Sequence, residues 1–186
     1  MSSDSIPVVD AVARADASGL SPRTGEPRRP WVAWVTLGLF FAGAGVDLVA
    51  LLWGMWTSVR RFADAAWLYR AVPTDLGDPF RVLLVVAIWL SAVLIGAFAV
   101  VAGYYAWAGY RWTRWAGLIA VAVGGLSFLG HWLAPWCLVP LALGAASVWL
   151  PPMRRFFAAC DLHRHPATQR APLPDQVFYG PLPRYR

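Results

Sequence analysis

Along most of this chain apolar residues do not alternate with polar ones; they run on. Trp31 to Trp56 contains one charged residue, Asp47, and Phe80 to Ala108 contains only Arg81. Trp115 to Leu150 is 36 residues without Arg, Lys, Asp or Glu. A helix apolar on every side is surrounded by protein or lipid, and a spanning helix needs ~20 such residues. The first two runs each supply one. The third, as a single helix, would be ~54 Å long against a hydrocarbon core of ~30 Å. It must fold back, and GHWLAP, Gly130 to Pro135, is where Gly and Pro interrupt it. The pattern therefore predicts an all-α, four-transmembrane-helix bundle with spans at about 31–56, 80–108, 113–130 and 135–150.

The polar stretches complete the layout. Residues 1–30 read as a polar N-terminal tail, disordered by composition. In the connector, RRFADAAWLYRAV places Phe62, Ala66 and Tyr69 on one helical face and Arg60, Arg61 and Asp64 largely elsewhere, which predicts a short interfacial helix. PTDLGDP ends it, with Asp78 as N-cap and Pro79 as first residue of the next helix. Pro151-Pro152 is expected to stop the last span. Residues 151–186 read as a Pro-rich C-terminal tail, amphipathic at RRFFAA and extended toward its end.

Composition changes the picture in one respect. The chain has 186 residues, 59% hydrophobic and 14% charged, where soluble domains carry roughly 25% charged residues. Too little polar surface remains to coat a globule in water, so a lipid bilayer is the expected solvent. The first apolar run begins too late and is too long for a cleavable secretory signal, so it reads as a retained anchor. The net charge of +6 rests on Arg alone. Those arginines flank the apolar runs and do not gather into a nucleic-acid patch. Arg23, Arg28, Arg29, Arg111, Arg114, Arg154, Arg155 and Arg164 fall at one end of a four-span bundle, and Arg60, Arg61, Arg70 and Arg81 at the other. That bias predicts a multi-pass protein of the plasma membrane with both termini cytoplasmic. The tryptophans fall into two matching belts, with Trp89 alone between them.

Asp47 is the first candidate for chemistry. A charge inside a span costs ~3 kcal/mol or more on insertion, so the acid must face protein. Ser91 and Ser127 fall at similar depth, with His131 nearer the outer turn. One reading makes Asp47, Ser91 and Ser127 an intramembrane polar contact, clamping helices or a partner subunit; another makes Asp47 a proton or cation site. Three stripes of small residues, Gly38/Ala42/Gly45, Gly96/Val100/Gly103 and Gly117/Val121/Gly124, let helices approach closely. They serve either internal packing or docking against another protein's helix. CDLHRH offers Cys160, Asp161, His163 and His165, but a zinc site wants four ligands in repeated spacing, so a solvated tail is expected and no metal. His131 has no second histidine in a span, so no haem is expected. Cys137 and Cys160 lie in different surroundings and are not expected to pair. No GxSxG, P-loop or dinucleotide motif is present, so no catalytic residue is assigned.

Lys-free, Arg- and Trp-rich composition, small size, apolar hairpins and long proline-rich ends together carry a resemblance. The chain resembles the small accessory membrane subunits of actinobacterial respiratory supercomplexes, in particular the association factor found with the cytochrome bcc–oxidase assembly. The resemblance implies a non-catalytic role in assembling or stabilising a larger integral membrane complex, without a cofactor and without nucleic acid. In the C-terminal tail, Phe178, Tyr179, Leu182 and Tyr185 are the expected anchors on a partner surface. Two alternatives stand beside it, a small proton- or cation-coupled transporter using Asp47 and a lipid-modifying membrane enzyme using His131.

Overall fold

The structure, a computed structural model, describes residues 19, 21, 25–75 and 77–165. Phe178, Tyr179, Leu182 and Tyr185 lie outside the described residues. Within them the fold is all-helical. Helix α1 is Trp31–Arg60, α2 Phe62–Ala65, α3 Trp67–Ala71, α4 Pro79–Trp107 and α5 Thr113–Gly124. Two 3-10 turns follow, Gly125–Leu129 and Ala134–Cys137, then α6 Leu138–Ser147 and α7 Pro151–Arg164.

Local chemistry accounts for most of these boundaries. Helix α1 starts directly after Pro30, which lies in extended backbone. Helix α4 starts as its sequence requires, with the Asp78 carboxylate accepting from the Phe80 N–H at 2.9 Å and Pro79 in the first turn. Two expectations are corrected. The interfacial segment is two short helices, because Ala66 is extended (φ −152°, ψ 150°) and frees the Trp67 N–H to donate to Gly130 O at 3.0 Å. Tertiary pairing with the 130–135 turn outweighs helical continuity there. Phe62 and Tyr69 still meet, stacked at 4.2 Å, across the break. The second correction concerns Pro151 and Pro152, which open a helix rather than only closing one. Residues 151–164, read from sequence as the start of a tail, form α7, bent 62° from the helical run before it. Met153, Phe156, Phe157 and Cys160 are buried on its inner side.

Helices α1 and α4 are each long and apolar enough to cross a membrane. Thr113–Leu129 is a shorter apolar helix, and Ala134–Ser147 makes a third candidate span only when joined to α7. Both long helices expose large apolar side chains, among them Phe41, Leu48 and Leu52 of α1 and Leu83, Val86 and Leu90 of α4. In water such faces are aggregation sites; they mark the chain as membrane-associated.

The core is built around Phe40, which is fully buried. A Cβ added at Gly103 of α4 would lie 2.9 Å from its Cβ, one at Gly117 of α5 3.4 Å from its Cζ, and one at Gly144 of α6 3.3 Å from its ring. Three helices thus present bare backbone to one phenyl ring. At one end of the bundle Trp34 meets Trp107, Trp115 meets Trp149, and Arg29 lies over Trp107. Helix α7 seals this end. Its Arg164 donates to the carbonyls of Ala108 and Gly109, in the turn just past α4, and it lies over Tyr110. Gly109 needs to be glycine twice over, with φ 82° and Cys160 Sγ only 2.6 Å from where a Cβ would stand.

Candidate functional site

At the other end, below α2 and α3, the helices splay around a cavity of about 70 Å³. Helix α1 lines it with Asp47, Ala50, Leu51, Gly54, Met55 and Ser58, which share a face because they recur every three or four residues. From Asp47 to Ser58, in the last turn of α1, is ~16 Å along the axis. Helix α4 contributes Ser91 and Ile95, the first 3-10 turn Ser127, the 130–135 turn His131, and α3 Tyr69. Asp47, Ser91 and Ser127, singled out by depth alone in the sequence, therefore line one space, and His131 lines it too.

They do not satisfy one another. The Ser91 hydroxyl donates to Ile88 O at 2.8 Å on its own helix. Ser127 is 3% exposed, and its Oγ lies beside the Cys137 thiol without a well-formed hydrogen bond. Asp47 is 5% exposed, and the ion pairs among the described residues, such as Arg70–Asp64 and Arg111–Asp161, lie elsewhere. His131 Nδ1 accepts from the Leu133 N–H at 3.3 Å, so in the neutral ring the proton sits on Nε2. Tyr69 is buried too, which pushes its phenol above the usual range and keeps it a donor. Leu126 and Ile95 close the walls. Among the described residues no three His, Cys, Asp or Glu side chains gather where a metal ion could sit.

A polar link between helices forms at a pair the sequence did not point to. Thr36 Oγ1 of α1 and Ser147 Oγ of α6 are 2.7 Å apart and both fully or nearly buried. Each also reaches a carbonyl of its own helix, Val32 O and Gly144 O. A hydroxyl has one proton, so one of the two gives up its backbone bond to hold the other. Lone small hydroxyl residues inside apolar runs carry no sequence signal for this. Residues of the CDLHRH stretch separate as well. Cys160 is buried against Gly109, Asp161 pairs with Arg111 at 3.1 Å, and His163 and His165 face outward. Burial raises the Cys160 thiol, with the Arg164 charge opposing.

The small-residue stripes divide. Gly103, Gly117 and Gly124 are in close internal contact, and so is Gly43, which the stripes omit. Gly38, Gly45 and Gly96 have nothing within 4 Å. Next to Ala42 and Gly45 runs an apolar groove that Val46, Val49, Leu133 and Trp136 continue. No protein-family model, no curated protein and no solved structure matches this chain.

Proposed function

We propose that the chain is a non-catalytic accessory subunit of a larger membrane complex, docked through the outward small-residue face of α1. It is read as a multi-pass protein of the plasma membrane with four spans and both termini cytoplasmic. The single observation that carries the docking is the Gly38–Ala42–Gly45 face. It has the spacing of a close helix–helix contact, yet internal packing leaves it open. Gly in a helix interior is ~1 kcal/mol worse than Ala, so bare backbone turned outward is costly unless something approaches it. The groove beside it is walled by Val46, Val49, Leu133 and Trp136 and holds no charge, which suits an apolar transmembrane helix. On the layout resemblance the partner is the respiratory bcc–oxidase assembly.

Four spans are supported by how the ends meet. The start of α1, the end of α4, the start of α5 and the end of α6 share one aromatic and Arg-rich end. Helix α7, bent away beyond α6, then lies along the interface with Phe156 and Phe157 turned inward and Arg154 and Arg155 outward.

Mild-detergent purification of the tagged chain from its own membranes, followed by mass spectrometry, tests the reading. The wild type should bring down a larger integral membrane complex in fixed ratio, and Gly45→Leu should lose it while eluting and melting as the wild type does. Recovery of a lone monomer from the wild type, or full retention of the partner by Gly45→Leu, would refute it.

A further inference from the structure

We propose that the cavity beneath α2 and α3 is a binding site for a small monovalent cation, an alkali-metal ion or a protonated amine, held by the Asp47 carboxylate with the Ser127 and Ser91 hydroxyls. This goes beyond the docking reading and does not rest on it. Asp47 and Gly45 are two residues apart, hence ~200° apart around α1, so the site and the docking face are separate.

Charge selects the ligand. An acid this deeply buried must carry a proton or a counter-charge; no arginine lines the cavity, and burial lowers the basicity of His131, which does line it and accepts at Nδ1. An anion would meet Asp47 with nothing to offset it. A divalent cation would need more acids than one, since hard dications take six or more oxygen ligands with several charges among them. A single positive charge balances the site. The hydroxyls are placed to help. Ser91 spends its proton on Ile88 O, which leaves its oxygen lone pairs free to accept. Ser127 is 97% out of solvent, lines the same cavity and makes no well-formed hydrogen bond, its one polar neighbour being the weak Cys137 thiol. A buried hydroxyl short of partners costs ~1–3 kcal/mol, and a cation on its oxygen lone pairs offsets the acceptor part of that cost. Volume sets the size. A water needs ~10–15 Å³ of such space, so about 70 Å³ holds a dehydrated alkali ion with a few waters, or an ammonium with a short alkyl chain. It is too small for a lipid headgroup. The row of Asp47, Gly54 and Ser58 along one face of α1 runs from the ligand position toward the helix end, where Ser58 is only half-buried.

The test uses the full-length protein in detergent micelles. Thermal unfolding is followed in sodium, potassium and methylammonium chloride at matched ionic strength, against N-methylglucamine, a cation too large for the cavity. At least one small cation should raise Tm saturably. Sodium or potassium acting alone identifies a metal-ion site, and methylammonium acting alone identifies an amine site. Asp47→Asn should weaken the apparent affinity at least about tenfold, the equivalent of ~1.4 kcal/mol. Ser127→Ala, a milder change that leaves the carboxylate in place, should weaken it severalfold and keeps the test open if the Asn variant does not fold. Equal melting in all four salts would overturn the proposal, and so would a cation effect of full size in Asp47→Asn or Ser127→Ala.

Discussion

The two ends of this bundle are built from the same kinds of residue and end up opposite in character. At the α7 end, glycine meets phenylalanine, the carbonyls of the turn after α4 meet Arg164, and Thr36 meets Ser147. At the α2–α3 end a carboxylate outside the ion pairs of the described residues and a serine hydroxyl without a well-formed hydrogen bond face a cavity. The difference does not come from polarity, since each end buries hydroxyls. It comes from whether the neighbouring backbone can approach. Gly103, Gly117 and Gly144 let three helices close on Phe40, whereas the kink at Ala66 ties α3 to Gly130 and holds the other end apart. One end is made for stability, the other for occupancy.

The largest expected effect is at the closed end. Phe40→Ala should cost ~3–5 kcal/mol, read as a fall in Tm and in yield of folded protein. Phe41→Ala, one residue on and about half exposed, should leave Tm near that of the wild type. If the two variants melt alike, the closed end is not where stability resides. Next come matched glycines of α4. Gly103→Val forces atoms into Phe40 and should cost ~1–3 kcal/mol, while Gly96→Val meets open space and should be neutral or slightly stabilising.

This contrast shows what the sequence could tell. Apolar run length and the GHWLAP break gave helical content and the fold-back, because both follow from hydrogen bonding and solvent alone. Asp78-Pro79 marked a helix start, because capping is local. Asp47, Ser91 and Ser127 fall at similar depth along their apolar runs, and they line one cavity. Sequence could not say which glycines face in. Gly96 and Gly103 are seven apart on one helix and should share a face, yet only one is in contact, because Phe40 comes close to α4 at one level only. Nor could it foresee α7. Nothing local shows that Arg164 will find carbonyls 55 residues away or that Cys160 will be covered by a turn.

A smaller pair of changes compares the hydroxyls directly. Ser147→Ala breaks a made pair and should destabilise by ~1 kcal/mol. Ser127→Ala removes a buried oxygen without a well-formed hydrogen bond, and in N-methylglucamine it should stabilise by a similar ~1 kcal/mol. Opposite signs in parallel melts would establish the comparison, and equal signs would erase it. The smallest effect is chemical. Buried and held in its thiol form, Cys160 should react slowly with maleimide at neutral pH. Arg164→Ala removes both the cap and the nearby positive charge, so labelling should speed up through exposure even as the lost charge disfavours the thiolate. Mass spectrometry of the labelled peptide reads the rate.

The single phenyl ring at position 40 has an evolutionary corollary. Any drift in its size must be answered on three separate helices at once, at residues 103, 117 and 144. Related chains, when aligned, should therefore show these four positions changing as a group or not at all, while positions 38, 45 and 96 vary with whatever neighbour each lineage has acquired.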